Sequence, residues 1–317
     1  MLRFCFSALL AVLLTAVAHA QAPAGFAGTL TYSAKNRYAD PALQERYRQA
    51  PMFQGTEQTW LISGPNLLET TNGLSGSRNL FRTRDQLAYT FHPTLPWVFY
   101  DDLRQHGSFR KRTVLPAADT VLGFVCDVVL TETSWGSVRC SMHPKYRQLA
   151  TKAATDTVGW YADTYPTALS IPLRRVTTWT KAGLTESQVA TALTPAASPI
   201  DQAQFAAPAA DKLVPGYSMI DNKPNDKEIR RFSEFLVKNL KYPKESLRRG
   251  VEGSVLLEFL VNEDSSISDI RILQHLDPAC DAEAVRILSG YAKWAPRTYK
   301  GQPVKSLFSL PITFRLQ

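Results

Sequence analysis

The fold of the last quarter of the chain is decided by residues 307–316, LFSLPITFRL. Apolar side chains stand at every second position in this stretch: Phe308, Leu310, Ile312, Phe314 and Leu316. This alternation predicts a β-strand with one apolar and one polar face. Residues 251–261, VEGSVLLEFLV, predict a second strand. Its core face would be formed by Val255, Leu257, Phe259 and Val261, packed with Phe314 and Leu316 under a helix that bears Val285 and Leu288.

The segments around these two strands complete the pattern. Tyr242-Pro243 precedes a short charged helix candidate that ends at Gly250. Residues 280–288, CDAEAVRIL, carry apolar side chains at helical spacing. The motifs KWAP at 293–296 and GQPV at 301–304 follow. The predicted order is helix, strand, helix, strand.

Taken together, these motifs resemble the C-terminal domain of TonB, the periplasmic energy-transducer family. The matching pieces are Tyr-Pro, Glu-Gly-x-Val-x-x-x-Phe-x-Val, Asp-x-Glu-Ala-x-Arg, Lys-Trp-x-Pro, Gly-x-Pro-Val and Leu-Pro-Ile-Thr-Phe-x-Leu. The resemblance covers residues 217–317. It implies a small α+β domain in which two helices pack on one face of a three-stranded antiparallel sheet.

The resemblance also implies a function. Domains of this family bind extended segments of outer-membrane transporters by adding them as a strand at the sheet edge, where unpaired N–H and C=O groups are available. The partner-binding residues predicted here are Tyr242, Pro243, Ser309, Pro311, Thr313 and Arg315. Because Pro311 has no N–H, its strand should be peripheral or carry a bulge.

Two positions raise further expectations. The family usually has Asp-Gly or Asn-Gly in the first hairpin turn, where this chain has Asp264-Ser265-Ser266, so a longer loop is expected. Leu256 and Leu260 alternate with the core residues of their strand and should point away from the helices. They therefore predict an interdomain face covered by the N-terminal domain, or by a second copy of the chain in a homodimer.

The start of the chain predicts export. Arg3 precedes a short apolar run, and Ala18-His19-Ala20 fits a cleavage site before Gln21. A membrane anchor is the alternative, but the run is shorter than the roughly 20 apolar residues of a span. We expect a periplasmic protein of a Gram-negative bacterium without a membrane anchor of its own. The expected organisation is a signal peptide at 1–20, a β-rich domain at 21–206, a linker at 207–216 and a TonB-like domain at 217–317.

The N-terminal two-thirds predict a large antiparallel sheet, because short strand-like runs recur between Gly, Pro, Asn and Ser. The best helical signal there is 41–48, with Asp40 as N-cap. The predicted strands are 26–32, 57–62, 66–71, 79–82, 86–91, 97–100, 120–132, 136–142, 157–161 and 174–179.

The same region resembles the lipoprotein-carrier-like (LolA-like) half-barrels of exported Bacteroidetes proteins. The pieces that carry this resemblance are residues 26–32, FAGTLTY, 120–126, TVLGFVC, 158–162, VGWYA, and 199–205, PIDQAQF. It implies a curved antiparallel half-barrel that can shelter a lipid or other apolar ligand. The aromatic residues that would line such a cavity, or that would fill the core instead, are Trp60, Phe81, Tyr89, Trp97, Phe99, Phe124, Trp160 and Trp179.

Charge distribution and histidine spacing argue against a nucleic-acid-binding protein and against a metal-dependent enzyme. The formal charge of +8 is spread along the chain, and nucleic acid is not an expected partner of an exported protein. The histidines beyond the signal, His92, His106, His143 and His275, lack metal-ligand spacing. We therefore predict no enzyme, no catalytic residues, no cofactor and no metal site.

Cysteine usage leaves one pairing open. Cys126 and Cys140 flank a predicted turn and would either form a disulfide across a hairpin or remain two buried thiols.

The leading prediction is a TonB-like interaction protein. The alternative is a carrier of a lipid or hydrophobic ligand, which the TonB-like domain would dock.

Overall fold

The computed structural model describes residues 26–41, 56–64, 66–73, 76–82, 84–102, 109–143, 172–181, 183–216, 219–221, 226–291 and 294–316. The predicted signal peptide, residues 42–48 of the first predicted helix and the predicted strand that contains Trp160 lie outside these residues. Within the described ranges, no helix is long and apolar enough to cross a membrane.

A twelve-stranded sheet dominates the N-terminal part, as the recurring strand pattern predicts. Among the described residues its spatial order is β12-β6-β5-β4-β3-β2-β1-β11-β10-β9-β8-β7, with β12 and β7 at the two ends. The half-barrel shape is not established by this order and stays a prediction. The strands are β1 (Ala27–Tyr38), β2 (Glu57–Ser63), β3 (Asn66–Thr71), β4 (Arg78–Arg82), β5 (Leu87–Phe91), β6 (Val98–Asp102), β7 (Phe109–Val121), β8 (Phe124–Thr133), β9 (Gly136–Met142), β10 (Pro172–Trp179), β11 (Leu184–Pro195) and β12 (Leu213–Pro215).

The prediction of one strand over 120–132 is wrong. The chain turns at Leu122 and Gly123, whose φ angles are +52° and +78°. Positive φ at both central residues is the requirement of a tight two-residue hairpin turn. The segment therefore ends β7 and begins β8, which pair antiparallel.

The predicted linker at 207–216 does not run free between the domains. Its residues 213–215 form β12, which lies parallel to β6 at the edge of the large sheet. The N–H of Gly216 donates to the carbonyl of Tyr100 at 2.7 Å and extends this contact. Residues 213–216 therefore pair with the large sheet, and the division of the chain into domains stays a prediction.

The C-terminal domain has the predicted three-stranded antiparallel sheet, in the order β14-β13-β17. The pairing of β13 with β17 is unbroken from Gly253↔Phe314 to Val261↔Ser306. A two-stranded hairpin, β15 with β16, was not predicted. The elements are α1 (Asp226–Asn239), α2 (Lys244–Arg248), β13 (Gly253–Val261), β14 (Ile267–Gln274), α3 (Pro278–Ser289), β15 (Arg297–Tyr299), β16 (Gln302–Val304) and β17 (Ser306–Phe314).

One face of this small sheet packs against the helices. Val255, Leu257, Phe259 and Val261 are all fully buried there, as their alternation predicts. The other core members include Ile287, Leu288, Ile312 and Phe314, with Val285 partly buried against them. Leu316 is 39% exposed beyond the end of β17, so its predicted place in the core is wrong.

The start of α3 is fixed by side chains of its own sequence. Asp277 is the N-cap and accepts the N–H of Cys280, and Pro278 occupies the first turn, where a missing N–H costs nothing. Asp281 accepts the N–H of Leu276 at 3.0 Å, and Glu283 accepts the N–H of Lys241 at 2.6 Å. Asp281 thus holds the chain that enters α3, and Glu283 holds the segment between α1 and α2.

The first hairpin turn of the domain spans residues 262–266, between β13 and β14, and is thus longer than a two-residue turn, as expected. The N–H of Asn262 donates to the carbonyl of Ser266 at 2.8 Å, which closes the turn. Ser265 takes a φ of +72°, the conformation that favours glycine. The register of β14 on β13 shifts at two places, between Leu256/Leu257 and between Glu258/Leu260.

Candidate partner-binding edge

The outer edge of β17 is a regular template for another strand. In the part of the chain that the structure describes, β17 pairs only with β13, and its other side is the sheet edge. The strand is nine residues long. Its register on β13 has no bulge. The prediction that Pro311 lies on a peripheral strand is confirmed.

The orientation of the edge groups follows from Pro311. Proline cannot donate to a ladder, so it fits where its nitrogen faces the free edge. Backbone groups alternate between the two sides of a strand, which puts the N–H and C=O groups of Ser309 and Thr313 on that edge as well. The N–H of Leu316 donates to Glu252, on the side of β13, as the same alternation requires.

Four predicted partner-binding residues share this surface. Ser309, Pro311 and Thr313 are exposed on the face opposite the helices, and Arg315 is exposed just beyond the strand. The hydroxyl of Thr313 lies 2.8 Å from that of Ser254 on β13. The edge therefore presents hydroxyls and backbone groups to solvent.

The other two predicted residues lie elsewhere. The ring of Tyr242 packs edge-on against Phe314, with centroids 5.6 Å apart, and its hydroxyl donates to the carbonyl of Val251. Pro243 is the residue before α2. Tyr242 thus packs against the core beneath β17, and Pro243 begins α2. The partner-binding role of these two residues stays a prediction.

The opposite edge of the small sheet, β14, is less suited to accept a strand. Its pairing with β13 contains two irregularities. Asp269, in its middle, has a φ of +52°. Bulged and twisted edges discourage further pairing. Of the two outer strands of the small sheet, β17 is therefore the better site for an added strand.

The face of the small sheet opposite the helices contacts the N-terminal domain. His92 Nε2 lies 2.7 Å from Glu258 Oε1, and the two side chains are only 2% and 3% exposed. Arg271 Nε donates to the same carboxylate oxygen at 2.6 Å. Glu258 stands opposite Ser309 in the β13–β17 register, so this contact lies one strand from the free edge.

The tautomer of His92 follows from its second nitrogen. The backbone N–H groups of Thr94 and Leu95 donate to His92 Nδ1 at 3.2 and 3.1 Å. Nδ1 is therefore the acceptor, and Nε2 carries the proton that it donates to Glu258. The imidazole thus joins the turn at 92–95 to the buried carboxylate.

Apolar packing surrounds this polar contact. Leu260 is 1% exposed and clusters with Leu95, Phe99 and Val214 of the N-terminal domain. Leu307 of β17 and Trp97 pack against the same cluster. Leu256 is 5% exposed on the same strand. The large sheet, through β6 and β12, thus covers part of the face opposite the helices.

Two cations flank Trp97 where the domains meet. Lys305 Nζ lies 5.2 Å from the ring centroid, and Lys212 Nζ lies 5.9 Å from it. Lys305 also pairs with Glu263 at 2.6 Å. That interaction contributes to the lowered pKa of Glu263, whose burial acts in the opposite direction.

The connection between the domains is anchored a second time at the β15–β16 hairpin. The N–H of Asp221 donates to the carbonyl of Thr298 at 2.7 Å, and Asp221 Oδ2 accepts the N–H of Gly301 at 2.9 Å. Burial, and then the neighbouring Tyr299 hydroxyl, raise the pKa of Tyr100 on β6. The chain is thus held on both sides of residues 217–218.

The disulfide considered between Cys126 and Cys140 is absent. Both cysteines are buried, and neither forms a disulfide. The register places Cys140 opposite Val129, whereas Cys126 lies opposite Asp119 on the other neighbouring strand. The two cysteines are thus not cross-strand neighbours.

The predicted aromatic set does not form one cavity lining. Trp60 and Phe81 belong to one core cluster of the large sheet, with Phe124 partly buried against it. Tyr89 belongs to a second cluster, and Phe99 with Trp97 to the interdomain one. Trp179 stacks on Trp135 with centroids 6.0 Å apart. The described members of the set therefore serve separate parts of the core.

Sequence reasoning predicted an interdomain face at Leu256 and Leu260 but missed the polar pair within it, His92 and Glu258. His92 was set aside because it has no metal-ligand spacing, and its partner Glu258 is 166 positions away. The available signal was Glu258 itself, a charge between two apolar residues on a strand that is otherwise apolar. A buried carboxylate of this kind needs a partner. Among the described residues, no group of three or more His, Cys, Asp or Glu is arranged to hold a metal ion.

A small α+β domain with one regular free strand edge defines a class of interaction module. Residues 238–316 match the family model of the C-terminal domain of Gram-negative bacterial TonB proteins. The sequence resemblance to TonB is thereby confirmed for this part of the chain. No curated protein matches the chain.

Solved structures show similarity to two parts of the chain. The NMR structure of the TonB C-terminal domain of Helicobacter pylori is 21% identical, with a TM-score of 0.26, and the match covers 31% of this chain and 88% of that one. A crystal structure of PNGF-II is 10% identical, with a TM-score of 0.34, covering 76% of this chain and 44% of that one. An uncharacterized conserved protein from Thermus thermophilus is 8% identical, with a TM-score of 0.29, covering 60% of this chain and 91% of that one.

Proposed function

We propose that this protein is a periplasmic TonB-like protein that binds extended segments of outer-membrane TonB-dependent transporters. The match of residues 238–316 to the TonB family supports an interaction role in the Gram-negative envelope. The observation that carries the proposal is the unpaired edge of β17, whose register on β13 is continuous. A guest segment would pair there as the fourth strand of the small sheet.

The chemistry of the edge suits strand addition. Backbone hydrogen bonds supply affinity that tolerates many sequences, and alternate side chains supply specificity. Pro311 interrupts the outward donors, so a guest meets the N–H groups of Ser309 and Thr313 on either side of it. This gap would fix the register of the guest.

The carrier alternative fits the large sheet less well. One face of that sheet changes from apolar to polar along β2, where Ile62, Trp60 and Gln58 are all buried. The buried polar side chains beside Gln58 include Glu69, Arg175, Glu186 and Gln188. Burial raises the pKa of Glu69 and of Glu186. This part of the face is therefore lined by buried polar side chains that hydrogen-bond to one another, for example Gln188 to Gln58 and Glu186, and not by the apolar surface that a lipid chain needs.

The proposal is tested by removing one outward N–H without removing side-chain contacts. Ser309→Pro deletes the donor, and Ser309→Ala is the matched control that keeps it. Fluorescein-labelled peptides that tile the N-terminal segments of the host's outer-membrane transporters serve as probes in fluorescence anisotropy. Loss of one backbone hydrogen bond, about 0.5–1.5 kcal/mol, should weaken binding by about two- to thirteenfold. Equal affinities for the two variants, or no binding by any peptide, would overturn the proposal.

A further inference from the structure

The hairpin that joins β7 to β8 carries an exposed apolar tip. Leu122 is 41% exposed in the turn, and Val125 is 54% exposed at the start of β8. Val114 and Leu115, on the β7 side of the same hairpin, are exposed as well. Scattered exposed apolar side chains are ordinary, but a group of them on one element indicates an interaction surface.

The backbone of the turn gives a second reason to assign a function to the tip. Leu122 has a φ of +52°, a conformation that glycine, asparagine and aspartate adopt readily and that strains leucine. In the described part of the structure, a Cβ added at Gly123 would meet no atom within 4 Å beyond its chain neighbours, so the turn projects into solvent. A leucine that is both strained and exposed contributes little to the fold, and such outliers are typical of binding sites.

The tip itself is uncharged. Residues 120–125, TVLGFV, contain no ionisable side chain. At the base of the tip, Arg174 donates to both carboxylate oxygens of Asp119, at 2.7 and 2.8 Å. Arg139 and Asp127 add one charge of each sign near this pair. The charges below the tip therefore balance, and its partner needs apolar surface rather than a particular charge.

We infer that this hairpin tip inserts into the surface of a phospholipid bilayer, as a peripheral contact made by the N-terminal sheet. The inference goes beyond the proposed function and does not depend on the free edge of β17. A stable protein–protein interface takes about 20–30 residues on each side, far more than the tip offers. A bilayer needs no matching surface, because a few apolar side chains at the boundary between headgroups and acyl chains suffice for reversible binding.

The backbone of the tip suits this position. A segment that enters hydrocarbon must satisfy its polar backbone groups within itself. Val121 pairs with Phe124 directly below the two-residue turn, so the ladder continues to the last possible pair. Asp119 lies two residues further from the turn, about 7 Å along the strand. Insertion of the turn and its first pairs would therefore leave the Asp119–Arg174 pair among the headgroups.

The test uses the full-length protein and vesicles of phosphatidylcholine and phosphatidylethanolamine. Leu122→Asn combined with Val125→Thr removes the apolar tip and keeps the hairpin, because Asn-Gly favours this turn and threonine favours strands. Val237→Thr is the matched control, because Val237 is 87% exposed on α1 of the C-terminal domain. In vesicle flotation, the double variant should bind about tenfold more weakly than wild type or weaker still. Val237→Thr should bind like wild type.

A second measurement locates the contact directly. Val125→Cys and Val237→Cys are each labelled with an environment-sensitive NBD fluorophore, which spares Cys126, Cys140 and Cys280 because they are buried. Vesicles should shift the emission of the label at position 125 to the blue and leave that at position 237 unchanged.

Three outcomes would overturn the inference. The first is wild type that does not float with the neutral vesicles. The second is a double variant that floats as well as wild type, or a label at position 125 that shows no shift. The third is binding that requires phosphatidylglycerol and disappears with added salt, because the general basic charge of the chain would then make the contact.

Discussion

The imidazole of His92 and the carboxylate of Glu258 meet across the two domains with 2.7 Å between Nε2 and Oε1. Glu258 also accepts a hydrogen bond from Arg271, so one buried carboxylate serves groups from both domains. Residues on either side, Leu95 and Leu260, bury apolar surface in the same contact. The N-terminal and TonB-like domains therefore form one unit with a polar centre.

The first prediction concerns this contact. His92→Ala removes a hydrogen bond to a charged, buried group, which typically contributes about 1.5–3 kcal/mol. Domain docking should weaken, and elastase should cut faster at the alanines of 206–210. His143→Ala is the control, because the His143 ring packs at a tilt against Phe124 within the first domain. Equal cleavage rates for the two variants would show that the contact does not hold the domains together.

The second prediction concerns the core of the C-terminal domain. Phe259 is fully buried, and its ring lies 5.0 Å from that of Trp294. Phe259→Ala should cost about 3–5 kcal/mol and largely unfold this domain. Ser309→Ala, on the exposed face, should leave the melting temperature unchanged. Similar melting temperatures for the two variants would contradict the assignment of the two faces.

The third prediction concerns the turn between β13 and β14. Ser265 has a φ of +72°, which costs a non-glycine residue about 1–2 kcal/mol. Ser265→Gly removes this strain but increases the conformational entropy of the unfolded chain. The free energy of unfolding should therefore increase by less than about 1 kcal/mol. Ser266→Gly should destabilise instead, because the Ser266 hydroxyl donates to Asp264 at 2.6 Å. Chemical denaturation of both variants measures the difference, and a loss of stability in Ser265→Gly would contradict it.

The fourth prediction concerns acid stability. Hydrogen bonds from Ser246 and Arg249 lower the pKa of Asp277 from 3.8 to about 2. Because the pKa of Asp277 is lower in the folded state, its ionised carboxylate stabilises the domain fully at pH values above the ordinary pKa of 3.8. This stabilisation is lost as the pH falls toward 2. The melting temperature of wild type, followed by the helical circular dichroism signal, should therefore fall more steeply with decreasing pH than that of Asp277→Asn over this range.

Asparagine is the matched replacement, because it caps helices as well as aspartate does. Asp269→Asn, on the edge strand β14, is the control and should follow the wild-type pH dependence. Parallel curves for wild type and Asp277→Asn would contradict the role assigned to this carboxylate.

The small domain could be predicted because its signals are local. The alternation in 307–316 places Ile312 and Phe314 in the core and Ser309, Pro311 and Thr313 outside, as the structure does. Leu316 breaks the rule because the strand ends at Phe314. Periodicity describes which faces are apolar, but it does not show where hydrogen bonding stops.

The large sheet was harder to predict, because it buries polar residues. β11 (Leu184–Pro195) was missed, since its buried positions are Glu186, Gln188 and Ala190 rather than large apolar residues. An apolar-alternation rule cannot detect such a strand. The His92–Glu258 pair was beyond sequence reasoning for another reason: the two residues are 166 positions apart, and the alternation that predicted an interdomain face at Leu256 and Leu260 does not show which residues of the first domain cover it.

The central claim, that β17 accepts a guest strand at its free edge, is tested most directly by amide hydrogen exchange of the full-length protein with and without a bound transporter peptide. The amides of Ser309 and Thr313 face the free edge by the alternation that Pro311 sets, so peptide binding should slow their exchange strongly. The amides of β14, at the opposite edge, should exchange as before. Protection on β14 or on the large sheet, with Ser309 and Thr313 unchanged, would contradict the account.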